Sequence, residues 1–333
     1  MCSQPREGVA YFPERPLGLL RFIVRRFATL AATLLVASFA IYASLYVAPG
    51  SPIATLTGGR TPSPEAIAIL EERYNLNDPF LVRYWNWLTG ALTGDFGVSI
   101  PLRQEVSDLI VERAPTTAGL VLYASLIILV SGIGLGVLAG LRPGWLDTSV
   151  IVLTTVSAAI PAFIAAIVLI LVFAVNLRWF PTVGDGEGLV DGIYHLTLPA
   201  LALASSSVAL VARVTRTAVR EEMTREHVAT AVSRGLPRRV VIRHHVIRNA
   251  AIPIATIAGL TVASLIALAA VVERAFALNG LGSYLVQAAL SKDFAVVQGI
   301  ALVLVAAFVI VNTVVDVLYA LLDPRVKLGA RPT

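Results

Sequence analysis

The chain has 333 residues, of which 57% are hydrophobic and only 14% are charged, and its formal net charge is +5. Soluble domains average about 45–50% apolar and about 25% charged residues, so this composition excludes an ordinary soluble domain and indicates a membrane protein. A single cysteine, Cys2, excludes an internal disulfide framework. The positive charge by itself would suit a nucleic-acid partner, but its distribution along the chain assigns it to membrane topology.

Six hydrophobic segments are long enough to cross a bilayer as helices, which requires about 20 apolar residues for a hydrocarbon core of about 30 Å. Alternation of apolar and polar residues is absent, which disfavours a β-barrel, whereas helices satisfy their own backbone hydrogen bonds in lipid. The predicted fold is therefore an all-α polytopic membrane protein with six transmembrane helices. The predicted spans are residues 27–47, 117–141, 149–175, 196–212, 253–272 and 298–322.

Lysine and arginine residues predict the orientation of these spans, because cytoplasmic loops carry an excess of both. An even number of spans places both termini on one side, and that side carries 18 basic and 7 acidic residues. The opposite side carries 8 basic and 13 acidic residues. The terminal segments 1–26 and 323–333 are therefore predicted to be cytoplasmic, and the positive charge requires no nucleic-acid partner.

The longest predicted external segment covers residues 48–116 and begins with a Pro-Gly-Ser-Pro sequence at 49–52, which ends the first span. Within it, residues 81–92 are predicted to form an amphipathic helix that contains Trp85 and Trp87. Tryptophan and tyrosine favour the membrane–water interface, so one interpretation places this helix at the outer interface. The other interpretation is a packed loop helix that caps the bundle.

Small residues and a proline mark the second, third, fourth and fifth spans. Gly132, Gly136 and Gly140 recur every four residues and are predicted to pack closely against another helix. Pro161 removes a backbone hydrogen bond and is predicted to bend the third span, either to shape a cavity or as a plain kink. Small hydroxyl groups can line a polar path. The candidate residues for a substrate pathway are Ser157, Pro161, Ser206, Thr261 and Ser264.

The chemistry of the spans does not indicate an enzyme. Ser206 has no general base nearby except His195 on the same span, which disfavours a serine hydrolase. His244 and His245 lack metal-ligand spacing, and no Gly-x4-Gly-Lys-Ser/Thr phosphate loop occurs, so the chain is predicted to bind neither metal nor ATP itself. Asp316 is the only ionisable residue in the spans, so active transport would draw its energy from another protein.

The segment 213–249 between the fourth and fifth spans carries the most informative pattern. A short helix is predicted to end at Gly235, and Pro237 is predicted to begin another. A narrow apolar strip at helical spacing consists of Val228, Ala231, Val232 and Leu236. Arginines surround it at Arg234, Arg238, Arg239, Arg243 and Arg248. Such a corner either docks on another protein or lies on anionic lipid headgroups.

Residues 229–236 and 243–253 resemble the cytoplasmic "EAA" loop of ABC importer permeases, more narrowly those of the dipeptide, oligopeptide and nickel class. Further motifs, in the same order, resemble the B-type permease of that class; they are residues 25–26, 47–52, 94–99, 278–282, 296–299 and 319–325. Ala229 occupies the position of the glutamate that names the loop, whereas its glycine is retained as Gly235.

This resemblance implies a type I ABC importer permease fold, with residues 117–322 as a five-helix core and the first span as a flanking helix. It implies a non-catalytic permease subunit of the bacterial cell membrane, most simply for oligopeptides or dipeptides. The implied partners are a second, C-type permease, one or two cytoplasmic ATPase subunits that bind ATP and Mg, and an external solute-binding protein.

The same resemblance assigns ATPase coupling to part of the segment 213–249. The implied coupling residues are Ala229, Thr230, Ala231, Gly235, Leu236, Arg238, Arg239 and Arg243. Nickel complexes are the alternative substrate class. The alternative functions are an ATPase-independent channel, a secondary carrier, or a membrane scaffold or receptor subunit without transport.

Overall fold

The computed structural model describes residues 15–47, 78–99 and 101–322. The helices are α1 (Arg15–Val47), α2 (Phe80–Leu92), α3 (Val106–Leu141), α4 (Trp145–Ala159), α5 (Ala162–Asn176), α6 (Gly188–Met223), α7 (Glu226–Ser233), α8 (Arg238–Ala275), α9 (Leu281–Leu290) and α10 (Phe294–Leu322). Strands β1 (Val98–Ser99) and β2 (Gln104–Glu105) pair antiparallel in a short hairpin that leads into α3. Residues 1–14 of the predicted N-terminal segment 1–26, the predicted tail 323–333, and residues 48–77 and 100 of the predicted external segment lie outside the described residues.

Five helical segments are long and apolar enough to cross a membrane, namely Val24–Ser44 of α1, all of α3, α6 and α8, and Phe294–Val317 of α10. The remaining predicted span consists of α4 and α5, which are bent by 102° relative to each other. The expected six-span, all-α fold is confirmed when this pair is counted as one span.

The break between α4 and α5 follows from Pro161. Ile160 adopts an extended backbone with ψ of 117°, and Pro161 precedes the first residue of α5. Proline lacks the N–H that would continue a helix, and it disfavours helical geometry in the residue before it. The chain therefore turns sharply here instead of bending gently as a kinked helix would.

Helix α6 lies at the centre of the bundle and contacts α3, α4, α5 and α8. Its buried residues share one apolar cluster with α3 and α8; the members include Leu120, Ala124, Ile128, Leu198, Leu203, Val211, Leu265 and Val272. Every other membrane-crossing element except α1 and α10 is thus positioned by α6.

A stripe of glycines on α3 lets α3 and α6 approach closely, as the four-residue spacing predicts. A Cβ atom added at Gly136 would lie 2.6 Å from the carbonyl oxygen of Ala212, and one at Gly140 would lie 2.8 Å from the side chain of Val219. The α6 side chains that meet Gly132, Gly136 and Gly140 are Val211, Thr215 and Val219, which also recur every four residues. Gly134, off the stripe, would meet nothing within 4 Å.

A buried ion cluster fixes the start of α4 to α6. Asp147, in the first turn of α4, is only 7% exposed. It accepts hydrogen bonds from Arg216 Nη2 at 2.9 Å, from Arg216 Nε, and from Arg220 Nη2 at 2.8 Å. No sequence motif marks this cluster, because its members are 69 and 73 residues apart.

Substitution of Gly136 by valine should destabilise the bundle, because the added carbons would push α3 away from α6. Overpacking of a filled interface costs about 1–3 kcal/mol. The midpoint of thermal unfolding in detergent should therefore fall, and size-exclusion chromatography monitors the unfolding. Gly134→Val adds the same side chain to the same helix in open space and should leave the midpoint unchanged. Equal midpoints for the two variants would show that the close contact is not needed.

Substitution of Asp147 by alanine should also lower stability, since it leaves Arg216 and Arg220 without their acceptor. Loss of a charged hydrogen-bond partner at a largely buried site costs about 1–3 kcal/mol. Asp108→Ala, at an exposed position in the first turn of α3, is the control in the same thermal assay. The exchange variant Asp147→Arg, Arg216→Asp should recover the lost stability. A wild-type unfolding midpoint for Asp147→Ala alone would contradict a stabilising role of the ion cluster.

Candidate functional site

Helix α7 and the first turns of α8 form a tight corner at one end of the bundle. Helix α7 ends at Ser233, and Gly235 follows in the left-handed region with φ of +74°. The Gly235 N–H donates to the Val232 carbonyl at 2.9 Å, and Pro237 then precedes the first residue of α8. Because nothing lies within 4 Å of a Cβ built on Gly235, the backbone conformation, and not lack of space, favours glycine here.

The inner half of the predicted apolar strip attaches this corner to the bundle. Val228 and Ala231 are each only 3% exposed. They pack with residues of α6 and α8, namely Ala218, Val219, Val241, Val246, Ala250 and Ile254. The other half of the strip points outward, with Val232 59% and Leu236 39% exposed. The four residues of the predicted strip therefore do not form one surface, because packing buries two of them and leaves two exposed.

A polar cluster adds to this attachment. His227 Nε2 lies 3.4 Å from Glu222 Oε2 at the end of α6, and 3.1 Å from Asn249 Nδ2 on α8. The same Asn249 amide donates to the His245 carbonyl at 2.8 Å. His245 is thus partly buried at the foot of α7, whereas His244 is exposed. The cluster joins α6, α7 and α8 at one point.

The outer side of the corner is strongly basic. Arg238, Arg239 and Arg243 line an open cavity of about 430 Å³ together with Ile242 and Ile247. Ala229 and Thr230 are also exposed, and the Thr230 hydroxyl donates to the Glu226 carbonyl of its own helix at 2.9 Å. We call this set the corner surface; it consists of the partly buried Ile242 and the exposed residues Ala229, Thr230, Val232, Arg234, Leu236, Arg238, Arg239 and Arg243. It presents small apolar side chains within a ring of guanidinium groups.

Three of the five pathway candidates lie at or close to the break between α4 and α5. The Ser157 hydroxyl donates to the Ser205 carbonyl of α6 at 3.2 Å, so the end of α4 meets the Ser205–Ser206 turn of α6. Pro161 forms the break itself and is exposed, and Ser206 is partly buried. The structure therefore places Ser157 against α6 at this break.

The other two candidates, on α8, have their hydroxyl protons engaged locally. Thr261 is buried and donates to the Ile257 carbonyl at 2.7 Å, and Ser264 donates to the Thr261 carbonyl at 2.7 Å. Both hydroxyl groups thus satisfy backbone acceptors of their own helix. A hydroxyl in this arrangement offers only its lone pairs to a passing solute.

At the opposite end of α3 and α8, a buried carboxylate organises the start of α9. Glu273 is fully buried and accepts hydrogen bonds from the Thr117 hydroxyl at 2.7 Å and the Ser283 N–H at 2.8 Å. Thr117 in turn accepts the Leu281 N–H at 2.8 Å. A side chain at Gly280 would overlap the Glu273 carboxyl group. Glu273 therefore caps α9, since the first N–H groups of a helix lack intrahelical partners.

A second buried carboxylate caps α10. Asp293 accepts the Ser99 hydroxyl at 2.5 Å, and the Val296 N–H lies 3.5 Å away. Burial raises the pKa of Asp293 above its usual range, and the hydrogen bond from Ser99 opposes that shift. A Cβ at Gly299 would lie 2.8 Å from the Val106 side chain. Three of the motifs that carry the family resemblance thus lie at this end of the bundle, where they connect elements of the structure. They are residues 94–99, 278–282 and 296–299.

Asp316, the only ionisable residue of the predicted spans, pairs with Arg26 of α1. Both side chains are partly exposed, at 31% for Arg26 and 42% for Asp316. The pair attaches the flanking helix α1 to α10. Asp316 therefore has a structural partner, which the sequence pattern does not reveal because the two residues lie near opposite ends of the chain.

Two family descriptions match the chain. Residues 19–121 match the N-terminal part of binding-protein-dependent transport system membrane components, and residues 132–328 match the binding-protein-dependent transport system inner membrane component. A putative peptide transport system permease protein of Brucella abortus is 37% identical over 309 residues, which cover 92% of this chain and 98% of that protein. The dipeptide transport system permease protein of Bacillus subtilis is 36% identical over 313 residues, covering 93% and 99%.

A solved structure of the MetNI methionine ABC transporter in an inward-facing conformation contains a similar chain. The TM-score is 0.52 at 18% identity, over 65% of this chain and 96% of that chain. This likeness concerns the fold alone and confirms the fold class expected from the sequence. On the family matches, which together span most of its length, the chain belongs to the binding-protein-dependent transport system inner membrane components.

Proposed function

We propose that this chain is the permease subunit of an ATP-driven importer of peptides. Its family is defined by dependence on a binding protein. The substrate class is supported by relatives that are named for peptide and dipeptide transport and align over more than nine-tenths of both chains. Oligopeptides and dipeptides share a backbone of donors and acceptors, so a path with few charged groups suits peptides of varied side chains.

The corner surface is the observation that supports coupling to a separate ATPase. The sequence contains no phosphate-binding loop, so nucleotide must bind to another subunit. Exposed Leu236 and Val232 would enter an apolar cleft on that subunit, and the arginines would meet acidic groups around it. Ala229, Thr230, Arg238, Arg239 and Arg243 would contact the ATPase directly. Ala231, being buried, would act by holding α7 on the bundle.

The packing of the corner explains how motion of an ATPase would reach the membrane. Val228 and Ala231 bind α7 to α6 and α8. The Asp147 cluster links α6 to α4, and the glycine stripe links α6 to α3. A displacement of the corner is therefore applied to four spans at once. Rigid-body movement of such a unit is a common way to switch between alternative states, here open to one side of the membrane or the other.

The remaining parts of the assembly follow from the same proposal. A second, C-type permease would complete the pathway past Ser157, Pro161, Ser206, Thr261 and Ser264, and one or two ATPase subunits would bind ATP and Mg. The excess of basic residues on the side of the corner supports a cytoplasmic position for both termini. The end that carries Glu273 and Asp293 would then face the external binding protein.

The proposal is tested by isolating the chain with whatever it binds. The chain is tagged, expressed at native level and gently solubilised, and co-purifying proteins are identified by mass spectrometry. A second permease and ATPase subunits should be recovered, and vesicles containing them should take up peptide only with ATP and a binding protein. A chain that is monodisperse alone and moves peptide without ATP would instead be an independent carrier or channel.

Substitution of Gly235 by valine should impair coupling, because an L-residue in the left-handed region costs about 1–2 kcal/mol and a β-branched residue fits it poorly. Peptide uptake and ATPase recovery should fall while membrane insertion stays normal. Gly235→Asn is the matched control, since asparagine tolerates this conformation. Gly235→Trp should impair coupling as Gly235→Val does. Its effect should come from the strained backbone and not from the bulk of the side chain, because the space around Gly235 is open. Normal uptake in the valine and tryptophan variants would refute the need for the corner.

Reversal of charge at Arg239 and Arg243 should weaken ATPase binding. Loss of complementary charge at an interface should reduce affinity by about tenfold, equivalent to ~1.4 kcal/mol, with a smaller effect at high salt. ATPase recovered per permease is the measurement. Arg274→Glu is the control, because Arg274 is exposed at the far end of the same helix. If the double variant Arg239→Glu, Arg243→Glu recovers as much ATPase as the wild type, these arginines do not contribute to the interface.

A further inference from the structure

Helix α2 is held against α1 by aromatic side chains on one of its faces. Phe39 of α1 lies edge-on to Phe80 and Tyr84, with ring centroids 5.8 and 5.3 Å apart. Tyr42 contacts Phe80 at 5.4 Å and Trp87 at 5.5 Å. Ser38 and Tyr84 share a hydrogen bond of 2.9 Å. This face of α2 is therefore occupied within the chain.

The contacts between described side chains of the two helices involve about two turns of each. They span residues 35–42 of α1 and 80–87 of α2. Residues 35–42 belong to the membrane-crossing segment Val24–Ser44 and lie near its end. Helix α2 is consequently placed beside the bilayer, close to one of its surfaces.

A second apolar face of α2 has no partner among the described residues. Leu81, Trp85 and Leu92 are 65%, 60% and 79% exposed. With 3.6 residues per turn they fall within about 40° of one another around the helix axis. Asn86, which is also exposed, lies about 100° further round. The helix thus has an α1-bound face, an adjoining bare apolar face, and a polar sector.

We propose that this bare face of α2 is a membrane-interface anchor that inserts Leu81, Trp85 and Leu92 at the boundary between lipid headgroups and acyl chains. The inference is independent of ATPase docking and of the solute transported. Lipid is the occupant because the face continues onto α1, where Leu35, Val36 and Phe39 are exposed along a membrane span. Tryptophan favours this boundary, and an amphipathic helix beside a span is suited to lie in it.

The anchor would fix the height of α1 in the membrane. Helix α1 is joined to the core through α10, and the Arg26–Asp316 pair lies near the other end of its span. Attachment of α1 to a helix fixed in the interface would restrain α1 against sliding along its axis. The interpretation of residues 81–92 as a cap over the bundle leaves three large apolar side chains in water, which burial in lipid avoids.

The test compares spin labels on neighbouring residues of the full-length chain. Trp85→Cys and Asn86→Cys are prepared with Cys2→Ser, reconstituted in vesicles of phosphatidylethanolamine and phosphatidylglycerol, and labelled with a nitroxide. Relaxation by oxygen reports exposure to lipid, and relaxation by a water-soluble nickel chelate reports exposure to water. The label at 85 should respond mainly to oxygen, and the label at 86 mainly to the chelate.

Two results would overturn the anchor. Strong chelate relaxation at both positions would place α2 in water, and protection of position 85 from both reagents would show a protein covering it. A variant that keeps only Trp85, through Trp87→Phe, Trp145→Phe and Trp179→Phe, provides a second measurement without a label. Its fluorescence should be quenched by lipids brominated near the headgroup end of the acyl chain, and absence of quenching would equally contradict the proposal.

Discussion

The close approach of α3 and α6 is the contact on which the rest of the bundle depends. In a bilayer, lipid tails are as apolar as leucine, so helices associate through close packing and not through escape from water. Gly132, Gly136 and Gly140 remove the side chains that would hold the two backbones apart. The other sides of helix α6 pack against α4, α5 and α8. The basic corner follows the last turns of α6.

Carboxylates join the elements at the two ends of this bundle, where a charge costs less than at the bilayer centre. Asp147 joins α4 to α6 at the end that carries the corner, whereas Glu273 and Asp293 cap α9 and α10 at the other. Each is largely buried, and each is satisfied by hydrogen bonds from a different part of the chain.

The corner between α7 and α8 combines rigidity with an exposed recognition surface. Its inner side chains, Val228 and Ala231, belong to the chain's own core, so the corner cannot shift independently of α6 and α8. Its outer side chains, Leu236 and the arginines, are exposed. Gly235 connects α7 to α8 through a conformation that other residues adopt at a cost. Such an element suits the transfer of movement from one subunit to another.

The six spans, the close packing at Gly136, a bend at Pro161 and the corner at Gly235 are predictable from the sequence alone. Each of these depends on hydropathy, spacing or backbone preference within a short stretch, which local sequence encodes. The packing of the helices sets the 102° angle between α4 and α5, the inward orientation of Val228 and Ala231, and the pairing of Asp316 with Arg26. Those outcomes depend on which helices become neighbours, and no local periodicity records the partner of a distant side chain.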